Sequence, residues 1–172
     1  MATKIYRPNE VFHTTEPGIF LAGPIQGAPN WQQESETMLD RVSLKRGLDF
    51  NIYNPRADNF DPKDEAAQKH WEKTYLKRAR DSGAILFWLA AQDFSIEDYP
   101  EGRSYAQTTR IELGRAFGWR DYNPRTRIVL GIDPNYEGGS DGYIVSCAEE
   151  YDLVVHQDLG RLCLHAADLI NV

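Results

Sequence analysis

The chain of 172 residues is 41% hydrophobic and 12% aromatic and carries a net charge of −7, which fits one globular domain whose core stands without disulfide or metal staples. The acidic balance speaks against duplex nucleic acid as a partner, since phosphate backbones are bound by excess cationic charge, but leaves a free nucleoside or nucleotide open. No apolar run is long enough to span a bilayer, the N-terminus lacks the pattern of a secretory leader, and two cysteines with four histidines at no metal-ligating spacing point to a cytoplasmic protein with reduced thiols, no metal and no cofactor.

Residues 1–16 are polar without a clear period and read as an N-terminal arm or short edge segment on a single domain spanning 1–172. After the Pro17-Gly18 turn signal, Ile19-Phe20-Leu21-Ala22 is a short continuous apolar run, the pattern of a buried parallel strand. It empties into a loop, residues 23–30, with Gly23, Pro24, Gln26 and Gly27. A helix then starts near Trp31, with Asn30 as N-cap and Gly47 as stop. A glycine-rich connection of this kind presents backbone N–H groups to a phosphate or sugar. Neither the G-x-G-x-x-G spacing nor a P-loop lysine is present, so dinucleotide and P-loop chemistry are disfavoured.

Phe50-Asn51-Ile52-Tyr53 predicts a second, alternating strand, followed by a polar loop to about Pro62. A helix follows from roughly Lys63 to Ser82, with Ala67, Trp71, Tyr75 and Ala79 at four-residue steps. Ala84 to Leu89 is the most apolar run and the central strand. Its C-terminal end opens into a long irregular segment, Gln92 to Tyr105, of the sort that forms binding loops, with Asp93, Asp98 and Arg103 as candidate contacts. Residues 126–131 and 153–155 predict a fourth and a fifth strand, 134–141 a glycine-containing loop and 159–169 a closing helix. Strands alternating with helices imply a parallel sheet covered on both faces, where ligands meet the C-terminal strand ends.

The segment Thr108 to Phe117 receives the long loop. At helical spacing Thr108, Glu112 and Arg115 share one face, beside an apolar face of Leu113, Ala116 and Phe117. A surface ion pair of Glu112 with Arg115 is the plain reading. Three loops converging on the start of this helix, residues 23–30, 54–62 and 90–105, make Glu112 a candidate catalyst. Trp31, at a helix start, and Trp88, at a strand end, are read first as core, with both also candidates to stack on a base.

Taken together, Ile19 to Pro24, Trp31, Asn54-Pro55-Arg56, Trp71 with Leu76, Ile85 to Trp88, and Thr108-Thr109-Arg110-Ile111-Glu112-Leu113-Gly114 resemble the nucleoside 2-deoxyribosyltransferase-like family over about residues 19–160. The resemblance implies a flavodoxin-like, Rossmann-like three-layer α/β sandwich with a parallel sheet of about five strands. It also implies cleavage or transfer at an N-glycosidic bond, a nucleoside or nucleotide as small-molecule partner, and a homo-oligomer. Glu112 becomes the nucleophile, a carboxylate able to stabilise an oxocarbenium-like transition state or trap the sugar covalently. Gly23, Pro24, Gln26, Gly27, Trp88, Asp93, Arg103, Thr108 and Thr109 become the candidate substrate contacts. Three positions depart from the family: Phe20 stands where a tyrosine orients the nucleophile, Ala106 stands where an aspartate lies six residues before it, and Tyr75, near Glu72, stands where a second aspartate is expected. The departures keep a second reading alive, a non-catalytic nucleotide-binding or sensing module on the same fold. Arg56, Arg103 and Arg110 are the candidates for phosphate.

Overall fold

The computed structural model describes residues 3–8, 10, 14–57, 64–96, 99, 102–137 and 142–170. In chain order the elements are β1 (Lys4–Tyr6), β2 (Gly18–Ala22), α1 (Trp31–Arg46), β3 (Asn51–Tyr53), α2 (Glu65–Ser82), β4 (Ala84–Leu89), α3 (Gln107–Tyr122), β5 (Ile128–Ile132), α4 (Tyr143–Glu150), β6 (Val155–His156) and α5 (Leu159–Ile170).

The six strands form one all-parallel sheet in the order β1-β3-β2-β4-β5-β6. The two-residue period of β2 sorts its side chains to opposite faces. Phe20 and Ala22 join the α2 and α3 layer with Trp71, Tyr75, Leu113 and Phe117. Ile19 and Leu21 join the α1 and α5 layer with Trp31, Leu39, Leu162 and Ala166. Because both faces are covered, β2, β4 and β5 are buried at every position and their sequences read as continuous apolar runs.

Local chemistry sets the helix ends. The Asn30 side chain accepts a hydrogen bond from the Gln33 N–H at 3.2 Å, which opens α1. Gly47, at φ 65°, closes it in the left-handed conformation that glycine adopts without a Cβ clash.

One expectation, the short edge segment, is made specific, and three details differ from the sequence-based expectation. The N-terminal segment contributes an edge strand, Lys4–Tyr6 pairing in register with Asn51–Tyr53, so the sheet has six strands rather than about five. β3 is buried at all three positions instead of alternating, because both its faces are covered, Tyr53 in the α2 and α3 layer and Ile52 in the α1 and α5 layer. α4 was not expected. It is eight residues long, and Ile144, Cys147 and Ala148 pack on the α2 and α3 layer. β6 is a two-residue strand at Val155–His156, with Leu153 packed on the core just before it. Part of the expected loops 54–62 and 134–141, and Asp98, lie outside the described residues. Both cysteines are free, and among the described residues no helix is long and apolar enough to cross a membrane.

The junction of α2 with β4 depends on Gly83. A Cβ there would lie 1.9 Å from the Gly18 carbonyl oxygen and 2.8 Å from the Gly18 nitrogen, both backbone atoms of a buried strand that cannot rotate aside. Gly83→Ala is therefore expected to destabilise the fold by about 2 kcal/mol, the usual scale of overpacking, and to lower the thermal midpoint by several degrees. An unchanged midpoint in a thermal melt would contradict that close approach.

Candidate active site

The strand order reverses between β2 and β4: from β2 the chain moves outward to β3, and from β4 it moves the other way to β5. At such a switch point the loops leaving the two central strands part and leave a crevice at their C-terminal ends. A cleft of about 320 Å³ lies there, within the range of small-molecule sites. The loop after β2 supplies one wall through Gly23, Pro24, Ile25 and Gln26. The start of α3 supplies the opposite wall through Ala106, Gln107, Thr108, Thr109 and Glu112. Phe20, Ala22 and Pro55 contribute apolar surface, and α2 contributes Glu65, Gln68, Lys69 and Glu72.

Glu112 reaches the cleft because α3 lies with Leu113, Ala116 and Phe117 buried against the sheet, which turns the neighbouring stripe of Thr108, Thr109 and Glu112 toward the opening. Its side chain is half-buried. Burial pushes its pKa up to about 7, the negative charge of Glu72 adds to the effect, and Arg115 opposes it. Arg115 sets its guanidinium 4.8 Å from the Trp119 ring centroid, so the expected Glu112–Arg115 face is real but Arg115 leans away to an aromatic partner.

The three acids of the cleft are not equivalent. Glu72 is held above the ordinary carboxyl range by burial, against the opposing effects of a 3.0 Å hydrogen bond from Gln68 and the charge of Lys69. Glu65 is exposed, hydrogen-bonded by Lys69 and shifted below the ordinary range by that bond. The cleft therefore holds one exposed acid whose pKa is lowered and two half-buried acids whose pKa burial raises.

Ala106 caps α3 at φ 54° and ψ 22°, a left-handed conformation unusual for a residue with a Cβ, and offers no side-chain cap. Phe20 faces the cleft without a hydroxyl. Tyr53 and Tyr75 do not replace it at the cleft lining: their rings pack 4.8 Å apart in the core, and the Tyr75 hydroxyl donates to the Glu10 carbonyl at 3.4 Å.

Of the residues singled out in the sequence, Gly23, Pro24, Gln26, Arg103, Thr108, Thr109 and Glu112 line one cleft. Arg103 bridges the two walls, donating to Gln26 Oε1 and to Thr108 Oγ1, each at 2.8 Å. Gly27, Trp88 and Asp93 lie outside the lining. Gly27, at φ 68°, turns the first loop against the Tyr99 ring, and its carbonyl accepts from the Asp93 N–H at 2.8 Å. The Asp93 carboxylate caps its own turn, accepting from the Ser95 N–H at 2.9 Å and the Ser95 hydroxyl at 2.6 Å. Trp88 is 5% exposed in the α1 and α5 layer. Arg110 donates to the Tyr105 carbonyl.

Gln68 and Lys69 were not singled out from sequence. Their signal was the polar stripe Glu65, Gln68, Lys69 and Glu72 at steps of three and four along α2, which becomes meaningful only once the helix is docked. No group of three or more His, Cys, Asp or Glu side chains among the described residues is arranged to hold a metal.

The sequence model of the family described as nucleoside 2-deoxyribosyltransferase like matches residues 16–120. That interval contains both walls of the cleft and all three of its acids. No curated protein matches the chain.

Proposed function

From the chain's membership of the nucleoside 2-deoxyribosyltransferase-like family, shown by a match over more than half its length, we propose that it cleaves or transfers the N-glycosidic bond of a nucleoside or nucleotide with Glu112 as nucleophile. The observation that carries this reading is the placement of Glu112, half-buried at the convergence of the first loop, α2 and the start of α3, in one cleft with apolar Phe20 and a second half-buried acid, Glu72.

In this mechanism a Glu112 carboxylate oxygen forms a bond to the anomeric carbon as the bond from that carbon to the base nitrogen breaks. The base leaves with the electron pair and takes up a proton. We assign that proton transfer to Glu72, whose pKa burial raises, rather than to Glu65, whose pKa its bond to Lys69 lowers. Water or a second base then displaces Glu112 from the sugar, giving hydrolysis or transfer with net retention of configuration. The productive form of the Glu72 and Glu112 pair has Glu112 ionised and the proton on Glu72.

The test is a chromatographic screen of the purified chain against deoxynucleosides, ribonucleosides and their monophosphates, with and without a second free base. Release of free base establishes glycosidic cleavage, and a new nucleoside that appears only with added base establishes transfer. A compound that raises the melting temperature without being turned over would replace this reading with a binding or sensing module, the alternative favoured by Phe20 and Ala106.

A further inference from the structure

The loop that carries Gly23 to Gln26 into the cleft has little backbone hydrogen bonding of its own. Ala28 N–H donates to Ile25 O at 3.4 Å, and the Gly27 carbonyl accepts from Asp93 at 2.8 Å. Its shape is held largely by a side chain from another element. Arg56 follows β3 by three residues, and its Nη2 donates to the carbonyls of Ile25, Ala28 and Pro29 at 3.1, 3.3 and 3.1 Å. Its Nε donates to Gln32 Oε1 at 3.0 Å. Gln32, fully buried, directs its Nε2 toward Pro24 O at 3.5 Å, where the Trp31 indole N–H also donates at 2.9 Å. One guanidinium thus gathers the carbonyls of a loop whose two prolines and turned Gly27 leave few amide donors to do so.

Arg56 is itself fixed from behind. Asn54, 2% exposed, accepts from the Arg56 N–H at 2.8 Å and donates to Glu36 Oε1 at 2.6 Å. Glu36, 7% exposed, also accepts from Arg7 Nη2 at 2.8 and 2.9 Å. The chain of contacts therefore runs from the β1 edge through α1 and the end of β3 to the first loop. A guanidinium presents its donors in a fixed planar fork that can meet these carbonyls and Gln32 together, and carbonyl dipoles offset the burial of its charge. Arg56 does not line the cleft, so its hydrogen-bonding capacity is turned toward the protein rather than toward a ligand.

We infer that Arg56 is a positioning residue for the substrate: through the loop carbonyls it sets the wall formed by Gly23 to Gln26, and so governs binding without touching the reacting atoms. The inference rests on the reading of the cleft as the substrate site. Hydrogen exchange of the full chain tests it directly, comparing wild type with Arg56→Gln and Arg56→Lys. The amides bonded to the loop's carbonyls, Ala28 on Ile25 O, Trp31 on Pro29 O and Asp93 on Gly27 O, are expected to exchange about tenfold faster or more in both variants, because neither Gln nor Lys reproduces the fork that holds the loop, while β4 and β5 keep their protection. With whichever nucleoside the chain turns over, KM rises while kcat is largely kept, and added guanidinium lowers KM again in Arg56→Gln. Unchanged exchange at the Ala28, Trp31 and Asp93 amides would overturn the inference, as would exchange rising uniformly across the domain, which marks general destabilisation instead. Exchange reads the loop whether or not any substrate is turned over. Absence of turnover in the wild type would therefore refute the enzymatic reading and leave the role of Arg56 in setting the loop to be decided by exchange.

Discussion

Glu112→Gln is expected to lower turnover of any nucleoside substrate by about 10³-fold or more, with substrate affinity close to that of the wild type. The amide keeps the shape and hydrogen-bonding reach of the carboxyl but cannot form the bond to the anomeric carbon. Stability supplies an internal control. Glu112 has a folded pKa of about 7 against an ordinary value of 4.5, so the folded state holds its proton more tightly than the unfolded chain does. Folding stability from this group is intact below pH 4.5 and declines as pH rises toward about 7, where burial of the charge has to be borne. The neutral glutamine removes that decline, so the variant should melt at or above the wild-type temperature at pH values over 7. A variant that keeps turnover while folded would remove Glu112 from the nucleophile's role, whereas one that melts below the wild type would trace its lost turnover to unfolding. Single-turnover kinetics beside thermal melts at two pH values separates these cases.

The fold was legible where burial leaves a one-dimensional trace. β2, β4 and β5 lie inside two covering layers, so their sequences are unbroken apolar runs with turn residues at each end. β1 was legible only as an arm or short edge segment without bounds, because an edge strand of three residues, exposed at Lys4, leaves little pattern. α4 was hidden because one and a half apolar turns after a glycine loop look the same as a loop that packs. For the cleft, Glu112 was visible through its helical face, and the residues of the two walls were visible through their place at strand ends. What sequence could not give was the division of labour among the arginines. Arg56, Arg103 and Arg110 read alike as phosphate candidates. In space Arg56 holds loop carbonyls, Arg110 holds Tyr105, and Arg103 alone stands in the cleft. Those roles depend on backbone oxygens brought close by the fold, which carry no residue signature. Ala106 is a related case. An aspartate at that position would tolerate the left-handed conformation and cap α3; this chain keeps the turn, at φ 54°, and not the carboxylate.

The second large effect concerns Glu72. Substrate protonation by Glu72 requires that the pair with Glu112 retain one proton, and the last proton leaves near pH 7, where Glu112 titrates in the field of an ionised Glu72. Wild-type kcat/KM is therefore expected to fall as pH rises through about 7, giving the alkaline limb of a bell-shaped profile. Glu72→Gln should lower kcat by about 10²-fold, the common scale for loss of a general acid, and should also change the shape of the profile. With the neighbouring charge gone, Glu112 titrates at lower pH, because that charge is one of the two causes that raise it. No proton donor remains to be lost, so the alkaline limb disappears and the residual activity stays level above the shifted acid limb. A glutamine that merely disturbed packing would scale the whole curve down and leave both limbs in place. An alkaline limb near pH 7 that persists in Glu72→Gln would assign that proton elsewhere and leave Glu112 acting without Glu72.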